Sequence, residues 1–195
     1  MKTLIVIDMQ HDFIDGPLGT AEARAIVPKV QKRIEEYVAA GDNVIFTRDT
    51  HYENYADTQE GKLLPVEHCI KNTWGWDIDE EVMKSVTPHR VYDKHTFMSY
   101  YLGRHIGNFM KDIKMDMSHE IDEIVLMGFC TSICVISNAL YLRGLFPDMK
   151  ITVLEDLCAD VSPEAHLSAC TVMKNCQIDV HTPTFFELES RLKLV

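Results

Sequence analysis

The stretch MGFCTSICV, residues 127–135, carries two thiols four positions apart, just past an apolar run and at the start of a helically patterned segment. A thiol becomes a strong nucleophile when ionised, and a helix N-terminus or a nearby cation favours that form. Thr131 or Ser132 is placed to act as the N-cap, which puts Cys134 in the first turn, among unpaired backbone N–H groups. Cys130 precedes the cap, in the strand-to-helix turn. Its N–H and that of Cys134 are candidates for an oxyanion hole. The plain alternative is that Cys134 only packs beneath the helix. Asp8 and Lys94 shift the balance, as a proton acceptor and a cationic stabiliser. Asp8 opens DMQHDF, where polar groups crowd the exit of a strand, and Lys94 is followed by His95 and Phe97.

A second constellation is Asp49-Thr50-His51, with His68 further along, after Glu60. Oxygen and nitrogen donors of this kind suit Zn²⁺, Mn²⁺ or Fe²⁺, with water completing the shell. The spacing is less specific than paired cysteines or a helical HExxH, so ordinary loop histidines are the competing reading. His11, His89, His105, His119, His166 and His181 are read as structural.

These groups need elements to bring them together. Apolar runs at Leu4–Ile7, Asn43–Thr47, Arg90–Tyr92, Ile124–Met127, Ile151–Leu154 and Ile178–Val180 predict strands. Helical spacing predicts helices near Glu22–Ala40, Tyr100–Asp116, Ile133–Leu145 and Pro163–Asn175, with a short last one over Phe185–Leu192. Strands alternating with helices imply a mostly parallel sheet of about six strands, covered on both faces: a three-layer αβα domain spanning 1–195. The one long irregular region runs roughly from Asp49 to Trp76, and loops of that length are usually functional. Ligands in such sheets bind beyond the carboxyl ends of the strands. Asp8, Asp49, His51, Lys94 and the Cys130–Cys134 turn all follow predicted strands, so the topology gathers them at one edge.

The net charge of −11 disfavours nucleic acid and anionic membrane surfaces as partners. The N-terminal apolar run stops at Asp8, too short for a signal peptide, and no stretch approaches the ~20 residues of a membrane span. The expected location is cytoplasmic. The six cysteines lack framework spacing and are expected to be reduced, mostly small buried hydrophobes.

Taken in order, VIDMQHDF, TRDTH, LPVEHCIKNT, YDKHTF and MGFCTSICV resemble the isochorismatase-like cysteine hydrolases, and among them the nicotinamidases. The likeness is collinear over nearly the whole chain and implies the Rossmann-like fold of that family. It implies a catalytic triad of Asp8, Lys94 and Cys134, an oxyanion hole from the Cys130 and Cys134 N–H groups, and a cis peptide joining Cys130 and Thr131. It also implies one divalent ion, Zn²⁺ foremost with Fe²⁺ or Mn²⁺ as alternatives, on Asp49, His51 and His68. Glu60 matches the family's variable ligand, and Asp57 is its rival. Phe13 matches a pocket aromatic. Leu64 stands where many nicotinamidases carry an aromatic, so Phe97, Tyr100, Trp74 or Trp76 are left to supply the other walls. Ile133 before the nucleophile leaves no histidine there, consistent with an aspartate base. The implied substrate is a small amide, nicotinamide first, and the implied assembly a homo-oligomer. Another amide or carbamoyl substrate is the alternative. Vinyl-ether cleavage is disfavoured because it can proceed without the cysteine, and a degenerate, non-enzymatic site is disfavoured by the complete triad.

Overall fold

The computed structural model describes residues 1–84, 86, 90–113 and 121–182. The first half holds β1 (Lys2–Ile7), α1 (His11–Ile14), α2 (Ala21–Ala39), β2 (Asn43–Asp49), α3 (Gln59–Leu63) and α4 (Glu80–Met83). The second holds β3 (Arg90–Lys94), α5 (Tyr100–Ile113), β4 (Glu123–Gly128), α6 (Ile136–Leu145), β5 (Lys150–Cys158), α7 (Pro163–Asn175) and β6 (Asp179–His181). Short 3-10 turns cover Tyr55–Asp57 and Trp74–Trp76, and a π turn covers Thr131–Val135.

All strand pairings are parallel, in the order β3-β2-β1-β4-β5-β6, with helices layered on the sheet. The expected three-layer α/β architecture is present. β1 lies in the middle, and Leu4, Ile5, Val6 and Ile7 are fully buried. Each such side chain contributes about 1.5–3 kcal/mol by leaving water. Chain order reverses at β1: β2 and β3 extend one way, β4 to β6 the other. The crevice beyond the carboxyl ends of β1 and β4 is therefore the switch point at which such sheets bind ligands.

The β1–β4 seam depends on one glycine. Gly128 pairs with Ile7 at a φ of 123°, and a Cβ there would stand 2.1 Å from the Ile7 carbonyl oxygen. Only glycine fits. Around it the β4–β5 register shifts, which lets β5 run on to pair Cys158 with Gly128. Local chemistry sets the helix starts: Thr20 accepts the Ala23 N–H before α2, and Ser162 accepts that of Ala165 before α7, with Pro163 at the first position.

Several expected boundaries shift. β2 and β3 continue to Asp49 and Lys94, which are paired in register as the last strand residues instead of following in loops. β5 is longer than its apolar run, because the shifted β4 register keeps partners available to Cys158. The 49–76 region contains α3 and two 3-10 turns, so it is less irregular than its composition suggests. The expected helix over Phe185–Leu192, and His89 and His119, lie outside the described residues. Among the described residues no helix is long and apolar enough to cross a membrane. Six free cysteines are present, five buried and Cys176 exposed.

Candidate active site

Asp8 leaves β1 with a φ of 48°, a left-handed conformation uncommon for a residue carrying a Cβ. It is completely buried. The Thr47 hydroxyl, from β2, donates to Asp8 Oδ1 at 2.7 Å, and Lys94 Nζ lies 2.7 Å from Oδ2. The same ammonium stands 2.9 Å from Asp49 Oδ1 and 3.3 Å from Cys134 Sγ. The ends of β1, β2 and β3 and the turn after β4 thus meet on one cation. Burial would depress Lys94, but the Asp8 and Asp49 carboxylates around it hold it well above its usual value. Burial also works against Asp49, yet Lys94 and the His51 hydrogen bond keep its carboxyl below the ordinary range. Asp8 moves the other way, because its burial outweighs the attraction of Lys94.

Cys134 corrects an expectation. Burial pushes its thiol well up, and Lys94 only partly opposes this while Asp8 and Asp49 add to it. The two carboxylates that share Lys94 thus weaken the pull of that cation on the thiol.

The turn holding Cys134 is also built differently from the expectation. Neither Thr131 nor Ser132 caps it; Cys130 occupies the cap position with no side-chain bond, and its carbonyl accepts the Ile133 and Val135 N–H groups at 3.2 and 3.0 Å. The Thr131 hydroxyl is turned to the Ala159 carbonyl, 3.0 Å away. The capping task falls to Asp160, beyond β5, which accepts the Ser132 N–H on Oδ2 and the Ser132 hydroxyl on Oδ1 at 3.0 Å. Neither the Cys130 nor the Cys134 N–H makes a hydrogen bond beyond this turn among the described residues. Asn138 secures the far side, its amide donating to the Cys134 carbonyl at 2.8 Å and the Phe97 carbonyl at 3.1 Å.

Gln10, Thr47, Asn138 and Asp160 escape the sequence reading. Gln10 is the instructive case: buried, it accepts the Asp49 N–H at 2.7 Å and donates to the Asp49 and Trp76 carbonyls at 2.9 and 2.8 Å. Its signal is its place in DMQHDF, among polar residues at a strand exit.

Beside this cluster four donors converge. His51 Nε2 is 3.0 Å from Asp49 Oδ2, and His68 Nε2 is 3.6 Å from the same oxygen. Glu60 Oε1, from α3, is 3.7 and 3.9 Å from the two imidazole nitrogens. Asp57 is exposed on its 3-10 turn, so of the two rival acids it is Glu60 that faces the histidines. The loops meet because His51 bridges to Ile70, its N–H bonding the Cys69 carbonyl at 2.9 Å. α3 can lie close against the Tyr55 turn because Gly61 has no side chain: a Cβ there would be 2.1 Å from the Tyr55 carbonyl oxygen. The donor set fits a divalent cation. His68 Nδ1–H is spent on the Val66 carbonyl at 2.8 Å, which aims the Nε2 lone pair inward. Burial would lower His51, but the Asp49 and Glu60 carboxylates raise it.

A cavity of about 350 Å³ opens onto both clusters. Asp49, Glu60, His68, Cys130 and Cys134 form its polar side; Phe13, Leu18, Leu63, Leu64, Phe97, Ile133 and Val161 form the apolar one. Tyr100 is not among the lining residues; it begins α5 with half its surface in solvent. Trp74 and Trp76 are elsewhere too. Trp76 donates to Thr50 Oγ1 at 2.9 Å beneath the Arg48 guanidinium, and Trp74 stacks on His11. Leu64 and Phe97 line the cavity as expected, and Leu63 and Val161 add aliphatic wall beside them.

A nicotinamidase of Saccharomyces cerevisiae is 32% identical over 198 aligned residues, which cover 84% of this chain and 90% of the yeast protein. Among solved structures, an N-carbamoylsarcosine amidase from Thermoplasma acidophilum is 28% identical, with a TM-score of 0.69 over 92% of this chain and 95% of its own. The pyrazinamidase of Pyrococcus horikoshii, solved in complex with zinc, shares the fold at 24% identity, with a TM-score of 0.74 over 93% of this chain and 99% of its own. Residues 2–183 match the isochorismatase domain, and the chain belongs to the isochorismatase family.

Proposed function

We propose that this amidohydrolase of the isochorismatase family is a nicotinamidase, converting nicotinamide and water to nicotinate and ammonia through a thioester on Cys134. The observation that carries the reading is the Lys94 ammonium joined to Asp8, Asp49 and Cys134 beside a cavity with one polar and one apolar side. As Cys134 Sγ attacks the carboxamide carbon, its proton passes to Asp8, whose burial makes it a stronger base than an exposed carboxylate. The oxyanion is taken by the Cys130 and Cys134 N–H groups. When the carbon–nitrogen bond breaks, Asp8 returns the proton to the leaving ammonia. Water then adds to the thioester, giving its proton to Asp8, and Cys134 departs as the thiol. Lys94 stays charged throughout and balances Asp8 as its charge comes and goes.

Asp49, His51, Glu60 and His68 would hold one divalent ion, Zn²⁺ foremost, with Fe²⁺ and Mn²⁺ suited to the same donors. Such an ion supplies Lewis acidity toward a pyridine nitrogen and toward water. The cavity's apolar side accommodates the ring, with Phe13 and Phe97 against it. The test is ammonia release from nicotinamide by purified protein with its metal content measured. Absence of release from fully metal-loaded protein would reject this substrate.

A second reading is hydrolysis of a linear or carbamoyl amide by the same triad. It is supported by the likeness to the carbamoylsarcosine amidase and by the aliphatic Leu63, Leu64 and Val161 in the cavity wall. Turnover of N-carbamoyl amino acids, but not nicotinamide, by metal-stripped protein would favour it.

A further inference from the structure

Outside this site, three metal-binding side chain types meet behind the catalytic turn. His166 and Cys170 stand one helical turn apart on α7, on the same face, and Glu155 projects from β5 toward them. Cys170 Sγ and Glu155 Oε1 are each 3.8 Å from His166 Nε2, and the three donor atoms lie within 4.8 Å of one another. Cys170 is 2% exposed. A tetrahedral zinc ion, with bonds of about 2.0–2.3 Å, separates its nitrogen, oxygen and sulfur donors by roughly 3.3–3.6 Å. The two separations from His166 Nε2 exceed this only slightly, and the third, between Cys170 and Glu155, is at most 4.8 Å, so binding draws these two side chains together.

The outer atoms are already held. The Thr131 hydroxyl gives its single proton to the Ala159 carbonyl, so its oxygen accepts from His166 Nδ1–H at 2.9 Å. That tautomer directs the Nε2 lone pair at Cys170, whose thiol donates a long S–H···N bond to it at 3.8 Å, while Glu155 Oε1, also 3.8 Å away, is beyond hydrogen-bond reach. Glu155 Oε2 is engaged by the Thr182 hydroxyl, leaving Oε1 facing inward. Imidazole and carboxylate ligands oriented by partners on their far atoms are the usual signature of a metal site. A cavity of about 380 Å³ lies beside the cluster, with His166, Glu22 and Asp160 among its lining residues.

We propose that Glu155, His166 and Cys170 form a second divalent-cation site, of the zinc and cobalt class, independent of the Asp49 cluster. Binding displaces the Cys170 thiol proton to solvent and forms the metal–sulfur bond, with no change of oxidation state. Three protein donors leave a fourth position for water. Because His166 Nδ1 holds Thr131, the first residue of the turn carrying Cys134, an ion here braces α7 and β5 against that turn. The site stands on its own geometry and does not depend on which amide the enzyme cleaves.

Cobalt is a direct probe, since the Asp49 cluster offers only oxygen and nitrogen while this one offers sulfur. Full-length protein loaded with Co²⁺ and desalted is expected to show a thiolate-to-cobalt charge-transfer band. That band should vanish in Cys170→Ser, with retained cobalt falling from about two to about one per chain, and persist in Cys134→Ala. His166→Asn is the second variant. Its amide can still donate to Thr131 while Nε2 is gone, so it too should lose the band. No band in the parent protein, or a band that survives Cys170→Ser or His166→Asn, would overturn the proposal.

Discussion

Cys130 and Cys134 are both buried, both line the cavity and both have thiols pushed upward by burial, so neither exposure nor acidity separates them. Position does: only Cys134 has Lys94 Nζ at 3.3 Å, and Cys130 contributes its backbone to the turn. Cys134→Ala is expected to cut kcat/KM by at least about 10³-fold. Cys130→Ala should stay within about threefold, equivalent to less than 1 kcal/mol at the barrier. Amide hydrolysis assayed on both variants at matched metal content checks this, and equal losses would contradict the division. Thr47 is the subtler residue. Its hydroxyl is the neutral donor to Asp8, and Thr47→Val keeps the shape while removing that bond. A hydrogen bond to a charged group is worth roughly 1.5–3 kcal/mol, so kcat should fall by about tenfold or more with KM little changed. An unaltered kcat would show that Lys94 alone positions the carboxylate.

Elements explain why the site was partly legible in the sequence. Asp8, Lys94 and the cysteine turn stand out because each follows an apolar run, and parallel topology brings the ends of such runs to one edge. What stayed hidden depends on contacts far apart in sequence. Asp160 holds a turn 28 residues away, and Gln10 joins β1 to the end of β2, 39 residues on. No local periodicity marks such residues. Of the expected pocket residues Phe13, Leu64 and Phe97 line the cavity, whereas Tyr100 on α5 and Trp74 and Trp76 on the second 3-10 turn do not. The π turn is likewise tied down by bonds from Thr131 and Ser132 to Ala159 and Asp160, after β5, which no capping rule anticipates. Gly128 is the element-scale test. Gly128→Ala places a methyl against the Ile7 carbonyl at a φ that disfavours side chains, so it should destabilise the fold by about 3 kcal/mol or more. Urea denaturation with an unchanged midpoint would show that the seam can open without cost.

At the scale of the molecule, the two ends of the sheet do different work. Buried charge at the carboxyl ends is concentrated on Lys94, where it serves the site. At the opposite edge Glu123, the first residue of β4, faces Lys2 of β1 and Lys150 of β5 in register. Its carboxylate lies 3.0 and 2.9 Å from the two ammonium groups and accepts the Thr152 hydroxyl at 2.6 Å. Burial alone would raise its pKa, but the Thr152 hydrogen bond and the two lysines outweigh it and bring it from 4.5 to about 2. A carboxyl lowered in the folded state stabilises the fold fully above its unfolded value and ceases to do so as pH falls through the folded one. The contribution from Glu123 is therefore complete above pH 4.5 and disappears toward pH 2. Both lysines are at least half exposed, so screening reduces the gain to about 1–2 kcal/mol. Glu123→Gln should lose that amount at pH 7, and the stability difference from the parent protein should close as pH drops from 4.5 to 2. Paired urea titrations across this range measure the difference directly. A gap that stays constant with pH would mean that packing around Glu123, and not its charge, holds β1, β4 and β5 together at this edge.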